Sequence, residues 1–587
     1  MNDHARSAPK PPRLFGLLAS AAVALLLAAC AAGAPPSGTS SSGASSSGAP
    51  SSEAQPPPAP PAKPAAPTVQ APPDAPGGQE TDARPEPVER PAASEARVRP
   101  ARLGPPLTRE DAEAARRLIR KYGFEPQDVG FLVTDLGGRE LAAHNAGQAF
   151  IPASVAKLPT AVAALELLGA DHRFETRMTA TARVGDGGRL AGDLWLVGGG
   201  DPLLGADGLV HLCRDLARAG VRRVAGRFRY DTSRYQERPA IRDDQPMTAG
   251  YNPGVSALSV NFNRLRVRWG TGAPSDPRAW TLPPVPSVAL SLNRRQPEGR
   301  ESGAWLPAGG DPGRWQLSTG ARGYGEDWLP LKNPAQVTAE ATRQVCRRMG
   351  VELPAPQPGS APAGARPLAG HPSPPLHEVV RSMLRYSNNL VAELTGLAAG
   401  RQLTGTRIGL SQSAIALSQW YERSLPATDW ARFDPGNHSG LNADARMTPA
   451  QLAAILRFAH DARYGRDGRT LMELLPTVGL DGGLSRRLQT PDTPFAVFAK
   501  TGTMNFVSAL AGYLPTRDGR ARMFAILVND KPLRRAYDAN PSQGGWGRQA
   551  AGWRGRAKQL EAALVRLWTD PRRIREAVPT AMLQRSE

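Results

Sequence analysis

A long low-complexity run limits which part of this 587-residue chain can fold. From Ala31 to about Leu103, proline, serine, alanine and glycine dominate, as in GTSSSGASSSGAP and AQPPPAPPAKPAAP. Such a composition cannot bury enough apolar surface to offset the entropy lost on folding. We therefore predict a disordered tether over residues 31–103. It would span on the order of 50 Å as a coil and up to about 200 Å where proline extends it.

The residues before the tether have the pattern of a secretion signal. Basic residues precede the apolar run LFGLLASAAVALLLAA, which is short for a membrane-spanning helix. The run ends in Leu-Ala-Ala-Cys30 and resembles the bacterial lipobox, in which the cysteine is lipidated; an ordinary signal with a chance cysteine is the alternative. The resemblance predicts a lipoprotein signal peptide over residues 1–30 and a membrane anchor at Cys30. Because Ala31 is not the aspartate of an inner-membrane retention signal, the outer membrane is favoured where the cell has two membranes.

The charge and the metal-binding residue types exclude some functions. The net charge of +19 suits anionic surroundings such as a cell envelope, and could also indicate nucleic acid. No helix-turn-helix, RNA-binding or zinc-finger pattern supports a nucleic-acid partner, and an arginine-rich composition with solvated basic faces explains the charge as well. The 3 cysteines and 8 histidines are not grouped at metal-ligand spacings. We predict no metal and no other cofactor.

The first stretch with catalytic potential is IPASVAKLPTAVAALELLG, in which Ser154 precedes Lys157 by three residues at the start of an apolar helical pattern. Side chains at this spacing share one helix face, so the amine can reach the hydroxyl. A lysine in a poorly hydrated site loses its proton near neutral pH and can act as a base. Taken alone, the pair favours a helix cap beside a solvated lysine.

The second stretch is RSMLRYSNNLVAELTGLAAG, in which Ser387-Asn388-Asn389 interrupts a helical apolar pattern. A short polar insertion between two helical stretches can present a hydroxyl and an amide to a cleft. Taken alone, it favours a polar kink in a helix.

The third stretch is FAVFAKTGTMNFVSALAGYL, where a β-rich run leads into Lys500-Thr501-Gly502-Thr503. A lysine and a threonine at a strand edge can hold a substrate carboxylate through charge-assisted hydrogen bonds. Gly502 would let a substrate approach the strand backbone closely. Taken alone, Lys-Thr-Gly is a common turn.

In this order the three stretches resemble the S-x-x-K, S-x-N and K-T-G motifs of penicillin-binding proteins and serine β-lactamases. About 230 residues separate Ser154 from Ser387, and much of this interval is rich in predicted strands. The segments GGGDPLL, YNPGVSALSVNFN and LPTVGLDGGLSRRL are similar to the D-alanyl-D-alanine carboxypeptidase/endopeptidase family of low-molecular-mass penicillin-binding proteins, which carry a large insert after the nucleophile helix. The resemblance covers roughly Pro105 to Ala563.

The resemblance implies an α+β fold. A β-lactamase/DD-peptidase-like catalytic domain would combine an antiparallel sheet flanked by helices with a helical subdomain, and would carry an inserted β-rich module. Two sequence runs that read as hairpins, DVGFLVTDLGGRELAAHN and VSALAGYLPTRDGRARMFAILVND, would belong to the sheet. We expect the catalytic domain over residues 104–173 and 373–568, the inserted module over 174–372 and a basic tail over 569–587.

The resemblance also implies catalytic roles. Ser154 would attack the carbonyl carbon of a D-Ala-D-Ala bond, and neutral Lys157 would take its proton. Ser387, with Lys500, would relay a proton to the leaving amine. Asn389 would hold both Lys157 and the substrate amide.

Substrate-binding roles follow in the same way. Thr501 would help to read the free carboxylate, and the backbone N–H groups of Ser154 and Thr503 would stabilise the oxyanion next to Gly502. Ser154 is also expected to open its helix as the cap. One segment departs from the family: Gly436–Asn442 reads GNHSGLN where Asp-Gly-Ser-Gly-Leu-Ser is usual, which puts family-like loop contacts with substrate in doubt.

The implied enzyme is a serine D-Ala-D-Ala carboxypeptidase of the periplasmic side of the cell envelope, with endopeptidase action on D-Ala cross-links left open. Its partners would be peptidoglycan stem peptides, acylating β-lactams and, through Cys30, the membrane. A β-lactamase of the same fold and a non-catalytic peptidoglycan-binding lipoprotein are the competing hypotheses. Cys213 and Cys346 each lie in a helical pattern within the predicted insert. A disulfide is possible in an oxidising compartment, and two buried free thiols are the alternative.

Overall fold

The computed structural model of the chain describes residues 109–271, 277–299, 301–321, 323–480, 482–485, 487–488, 497–515 and 521–569. The predicted signal peptide, Cys30 and the tether lie outside the described residues, as do residues 570–587 of the predicted tail. None of the helices formed by the described residues has the length and apolar character of a transmembrane span.

The first elements are two helices and a hairpin: α1 Arg109–Lys121, β1 Val129–Asp135, β2 Glu140–His144 and α2 Lys157–Leu168. The hairpin expected from the sequence is present, with Phe131 opposite His144. Every residue of α2 from Lys157 to Leu165 is buried. A helix that is buried on all sides must lie inside the core rather than on its surface, so α2 is a fixed support for the residues at its start.

The next segment consists mostly of short strands. They are β3 Glu175–Ala180, β4 Arg189–Leu190, β5 Leu194–Val197, β6 Arg223–Val224, β7 Phe228–Asp231, β8 Arg264–Thr271, β9 Pro277–Leu282, β10 Ala289–Arg295, β11 Trp305–Ala308, β12 Asp311–Ser318, β13 Gly325–Pro330, β14 Pro356–Pro358 and β15 Arg366–Pro372. They form sheets with the orders β14-β7-β5-β3-β15, β13-β8-β9, β10-β12-β11 and β4-β6. The helices α3 Ala206–Arg218 and α4 Pro334–Arg348 pack against each other and against the first of these sheets.

A disulfide joins the two helices of this segment. Cys213 on α3 and Cys346 on α4 are both fully buried, and their sulfur atoms are 2.02 Å apart. The two half-cystines lie in one apolar core with side chains from β3, β5 and β7. The sequence left this pairing open, because residue spacing alone does not give a distance between two helices.

The remaining helices before the last strands form the helical subdomain. They are α5 Leu376–Tyr386, α6 Asn389–Thr404, α7 Leu410–Ser424, α8 Pro449–Phe458 and α9 Leu471–Leu474. Their apolar faces meet those of α2 in one continuous core. The chain then forms β16 Phe498–Met504, β17 Val507–Pro515, β18 Ala521–Asn529, α10 Lys531–Ala539 and α11 Trp546–Thr569.

One antiparallel sheet combines the first and last strands of the described chain, in the order β16-β17-β18-β1-β2. Side chains alternate between the two faces of a strand. Accordingly Leu510 and Ile526 face a core formed with α1 and α11, whereas Ala511 and Leu527 face the core of α2 and the helical subdomain. The predicted α+β architecture, an antiparallel sheet flanked by helices with a helical subdomain, is confirmed.

Candidate functional site

Ser154 lies in a tight turn just before α2 rather than at a helix cap. A 3-10 helix spans Ala153–Ala156, and α2 begins only at Lys157. No side chain caps either helix, so the expected capping role of Ser154 is wrong. Ala153 has φ of 45°, a left-handed conformation that costs a non-glycine residue energy and is often found at functional sites. The turn therefore frees the Ser154 hydroxyl to contact a side chain instead of the backbone.

The fully buried amine of Lys157 is the centre of a hydrogen-bond cluster. Its Nζ lies 3.1 Å from Ser154 Oγ, 2.8 Å from Asn389 Oδ1 and 2.7 Å from the carbonyl oxygen of Ser439. Burial lowers the pKa of Lys157 from 10.5 to about 7, and the charge of nearby Glu393 opposes this shift. A neutral amine has two N–H donors and one lone pair. With Asn389 and Ser439 as the two acceptors, the lone pair is left for the Ser154 hydroxyl.

The serine and asparagine of the second motif lie at the junction between α5 and α6. The α5 helix ends at Tyr386, and Ser387 adopts a left-handed conformation with φ of 54°. Asn388 caps α6 by accepting from the backbone N–H of Val391 at 3.2 Å. This geometry places Asn389 in the first turn of α6, with its Oδ1 on Lys157. The predicted polar insertion between two helices is present.

The Asn389 side chain is also held from the strand-rich segment. Its Nδ2 donates to the backbone carbonyl of Tyr251 at 3.0 Å. The loop that carries Tyr251 is fixed in turn by Lys332, whose buried Nζ donates to the carbonyl of Asn252 at 2.9 Å. Tyr251 lies in the family-like segment YNPGVSALSVNFN, but no feature of that segment predicts that its carbonyl lies at the site.

Lys500 of the third motif and Ser387 of the second motif form another hydrogen-bonded pair. Lys500 Nζ donates to Ser387 Oγ at 2.9 Å and to the carbonyl of Thr501 at 2.8 Å. The Lys500 side chain is only 1% exposed. Burial lowers the pKa of Lys500 well below its usual value, and the charges of Lys157 and Arg487 lower it further. The pair is therefore suited to moving a proton between a hydroxyl and an amine.

The strand β16, which carries the third motif, lies at the edge of the sheet. At its start, the N–H of Ala499 donates to Pro476 on the outer side. Because N–H direction alternates along a strand, the N–H groups of Thr501 and Thr503 point to the same outer side. Beyond the contact of Ala499 with Pro476, no strand of the described chain pairs with the outer side of β16. Thr503 is exposed and Thr501 is half-buried, so both are accessible from solvent.

A glycine is needed at position 502 because of packing within the protein, and not because substrate approaches the strand there as expected. A Cβ at this position would lie 2.6 Å from the carbonyl oxygen of Pro152 and 3.2 Å from the Cβ of Ala153. Gly502 thus faces the turn that holds Ser154, and the close approach is made by the protein rather than by substrate. This contact sets the distance between β16 and the serine turn.

The Gly436–Asn442 loop, which departs from the family pattern, lies against the base instead of at the surface. The backbone N–H groups of His438 and Ser439 donate to the two oxygens of Glu393, each at 3.0 Å. The Ser439 carbonyl accepts from Lys157. Glu393 was missed in the sequence, although an acid four residues after Asn389 in the apolar run NLVAELTGLAAG is a signal of a buried role.

A cavity of about 520 Å³ opens next to Ser387 and Asn389, where Tyr251, Phe262 and Tyr386 form part of its wall. Its volume lies in the range of ligand-binding clefts. Within the described residues, no group of three or more histidine, cysteine, aspartate or glutamate side chains could hold a metal ion. The arrangement supplies an activated hydroxyl, two lysines of lowered pKa and an open strand edge, which together support acyl transfer.

Comparisons with known proteins agree with this chemistry. A model of the D-Ala-D-Ala carboxypeptidase 3 (S13) family matches residues 117–543 of the chain. The chain is 29% identical over 457 residues to a D-alanyl-D-alanine carboxypeptidase of Actinomadura sp. (strain R39), an alignment that covers 72% of this chain and 80% of that protein. It is 25% identical over 429 residues to the D-alanyl-D-alanine carboxypeptidase DacB of Haemophilus influenzae, with 69% of this chain and 86% of that protein covered.

A solved structure shares the fold. The crystal structure of penicillin binding protein 4 (dacB) from Haemophilus influenzae superimposes with a TM-score of 0.59 and 22% sequence identity. The superposition covers 71% of this chain and 93% of that chain. The likeness therefore extends over the catalytic sheet, the helical subdomain and the strand-rich segment together.

Proposed function

The chain belongs to the D-Ala-D-Ala carboxypeptidase 3 (S13) family of peptidases, and on that premise we propose that it hydrolyses the terminal D-Ala-D-Ala bond of peptidoglycan stem peptides through an acyl-enzyme on Ser154. The observation that carries the proposal is the contact of Ser154 Oγ with the buried amine of Lys157 at 3.1 Å. An amine with a pKa of about 7 is half neutral at physiological pH and can accept the hydroxyl proton.

Acylation begins when Ser154 Oγ attacks the carbonyl carbon of the scissile bond and Lys157 takes the proton. The tetrahedral oxyanion would be stabilised by the N–H of Ser154 in its tight turn and by the outward N–H of Thr503 on β16. Losing one donor of this kind typically slows acyl transfer about 100- to 1000-fold. The contact of Gly502 with Pro152 keeps these two donors at a fixed separation.

Collapse of the tetrahedral intermediate expels the terminal D-alanine as an amine that needs a proton. Ser387, which accepts a hydrogen bond from Lys500 at 2.9 Å, would donate its hydroxyl proton to this amine. It would recover a proton from Lys157, which holds the one taken from Ser154, so that both groups return to their starting forms. Lys500 and Thr501 would also receive the free carboxylate of that D-alanine. Burial favours the neutral form of Lys500, and a bound carboxylate would favour its charged form.

Hydrolysis of the acyl-enzyme by water completes the cycle. The same serine would be acylated by β-lactams, whose strained amide resembles the D-Ala-D-Ala bond, and released slowly. The acylation chemistry also serves D-Ala cross-links between stems, so endopeptidase action uses the same residues. A β-lactamase would require rapid hydrolysis of the penicilloyl ester, and a non-catalytic peptidoglycan-binding lipoprotein would need no neutral Lys157.

We further propose that one catalytic domain, over residues 104–173 and 373–568, is interrupted by an inserted module over 174–372. In support, β1 and β2 share a sheet with the three last strands, whereas the strands from β3 to β15 pair only among themselves within the described residues. The module reaches the site through the Tyr251 carbonyl, which accepts from Asn389.

Cell-envelope location follows from a peptidoglycan substrate. We propose that lipid attached to Cys30 anchors the protein on the periplasmic side, with the outer membrane favoured, and that residues 31–103 tether the catalytic body. The Leu-Ala-Ala-Cys30 sequence after an apolar run supports this. Acyl chains contribute roughly 0.8 kcal/mol per buried CH₂, so several chains give firm anchoring. Metabolic labelling with palmitate should mark the wild-type protein and not Cys30→Ser; equal labelling would contradict the anchor.

The hydrolytic proposal is tested by digesting purified cross-linked peptidoglycan and identifying the muropeptides by mass. Loss of one alanine from pentapeptide stems would show carboxypeptidase action, and loss of cross-linked dimers would show endopeptidase action. Ser154→Ala should produce neither change. Unaltered muropeptides after wild-type digestion, or rapid hydrolysis of nitrocefin, would reject the peptidase in favour of a binding protein or a β-lactamase.

A further inference from the structure

One face of α6 combines a residue of the catalytic cluster with groups that hold the neighbouring loop. Asn389, Glu393, Gly396 and Gly400 follow each other at intervals of four, three and four residues, which places them on the same side of the helix. Asn389 contacts Lys157. A Cβ on Gly396 would lie 2.0 Å from Cγ of His438, so the absence of a side chain there lets the loop pack against the helix.

Glu393 is a fully buried carboxyl group whose two oxygens both accept hydrogen bonds. Its side chain is 0% exposed, and its Oε2 and Oε1 each accept a backbone N–H, from His438 and Ser439. A protonated acid would turn an O–H toward one of these N–H donors, so the geometry fits the charged form. Burial raises the pKa of Glu393, and the Ser439 side chain, the two backbone N–H donors and the Lys157 charge act against that rise.

The backbone of Ser439 connects the Glu393 carboxyl group to Lys157. The N–H of Ser439 donates to Glu393, and its carbonyl accepts from Lys157 Nζ at 2.7 Å. The loop is held at a second point, since His438 Nε2 lies 2.9 Å from Ser413 Oγ on α7. The orientation of the Ser439 carbonyl therefore depends on the hydrogen bonds that Glu393 accepts from the two successive N–H groups.

We propose that Glu393 is a positioning residue for the general base: it aims the Ser439 carbonyl at Lys157 and provides the counter-charge for the ammonium formed when Ser154 gives up its proton. The inference rests on the proposed function, in which Lys157 is that base. The proton passes from Ser154 Oγ to Lys157 Nζ as the bond from Oγ to the acyl carbon forms. Glu393 neither gains nor loses a proton in this step.

The charges around Lys157 come from several elements. Glu393 on α6 favours the ammonium form of Lys157. Burial lowers the pKa of Lys500 on β16, and the positive charges of Lys157 and Arg487 lower it further. Burial lowers the pKa of His438 to about 3, so this imidazole is neutral at physiological pH. Among the described residues, Glu393 is thus the carboxylate whose charge acts on Lys157.

Two variants separate charge from shape, with acylation of the full chain by labelled penicillin as the assay. Glu393→Gln keeps the size of the side chain but faces one N–H donor with its own amide nitrogen and removes the charge. Glu393→Asp keeps the charge but is one methylene too short to hold both N–H groups. Glu422→Gln, on the exposed face of α7, is the matched control and should leave acylation unchanged.

Acylation by Glu393→Gln should be about 10- to 100-fold slower than in wild type, because a buried charged hydrogen-bond pair is lost. The midpoint of its pH–rate curve should move to lower pH by about one unit, since Lys157 loses its counter-charge. Glu393→Asp should be about 10-fold slower with the midpoint near that of wild type. If Glu393→Gln fails to fold, the acylation rate of Glu393→Asp tests the proposal.

An equal loss of rate at every pH in Glu393→Gln, with no shift of the midpoint, would reduce Glu393 to a structural role and overturn the inference. Wild-type rates in either folded variant would do the same. Failure of the proposed function is distinguishable, because wild-type protein would then form no penicilloyl adduct at all.

Discussion

Lys157 and Asn389 are 232 residues apart in the sequence and are joined by a hydrogen bond of 2.8 Å from Nζ to Oδ1. Asn389 Nδ2 donates to the Tyr251 carbonyl. This hydrogen bond orients the amide so that its oxygen, and not its nitrogen, contacts Lys157 Nζ. Lys157 is therefore held by α6, by the strand-rich segment and by the Ser439 loop, and it can point its lone pair only toward Ser154.

The first prediction concerns the pH dependence of acylation. Lys157 must be neutral to accept the Ser154 proton, and its pKa is lowered by burial to about 7. The rate constant for acylation by penicillin should consequently rise as pH increases from about 6 to about 8 and then level off. Stopped-flow measurement of the acylation rate across pH checks this. A curve that is still rising with a midpoint near the usual lysine value of 10.5 would show that the amine is not desolvated.

Much of the site could be predicted because each motif is local. Ser387 and Asn389 stand out as polar residues in an apolar helical pattern, and Lys500 follows a β-rich run. Taken singly, each motif favoured a structural role, and it was their order along the chain and their resemblance to the penicillin-binding family that predicted a common site. The prediction that Ser154 caps its helix is wrong because a 3-10 turn with a left-handed Ala153 precedes α2. The residue pattern does not predict that backbone conformation.

The rest of the site depends on contacts between distant segments. Glu393 becomes informative only when the Ser439 loop lies against α6, and the role of Gly502 is visible only when Pro152 is known to pack on β16. For the same reason, the helices carrying Cys213 and Cys346 could be predicted while their distance could not.

The second prediction concerns Gly502. In Gly502→Ala the new methyl group would lie 2.6 Å from the Pro152 carbonyl oxygen, so β16 and the serine turn must move apart. We expect the free energy of unfolding to fall by about 1–3 kcal/mol. The acylation rate should fall by about 10-fold or more, because the oxyanion donors are displaced.

The matched control is Gly555→Ala on α11, where an added Cβ meets nothing within 4 Å. Replacing an exposed helical glycine by alanine should raise the free energy of unfolding by about 0.5–1 kcal/mol and leave acylation unchanged. Urea unfolding and penicillin labelling measure both quantities. Full acylation by Gly502→Ala would mean that the Pro152 contact does not set the geometry of the site.

The third prediction concerns the disulfide. Cys213 and Cys346 are separated by 133 residues, and cross-links over long loops restrict the unfolded chain strongly. The double variant Cys213→Ser, Cys346→Ser should lose about 2–5 kcal/mol of unfolding free energy. Its acylation rate at moderate temperature should equal that of wild type, because the disulfide lies in a core separate from that of α2. Unchanged stability in urea, or loss of acylation in the folded variant, would contradict this account.

Acylation of Ser154 is the central claim, and it is measured directly by incubating the full chain with labelled penicillin and locating the adduct by mass spectrometry of its peptides. We expect one penicilloyl group on the peptide that contains Ser154, no adduct in Ser154→Ala, and a wild-type adduct in Ser411→Ala, which removes an exposed serine of α7. An adduct that persists in Ser154→Ala, or that maps to another residue in wild type, would contradict the assignment of the nucleophile.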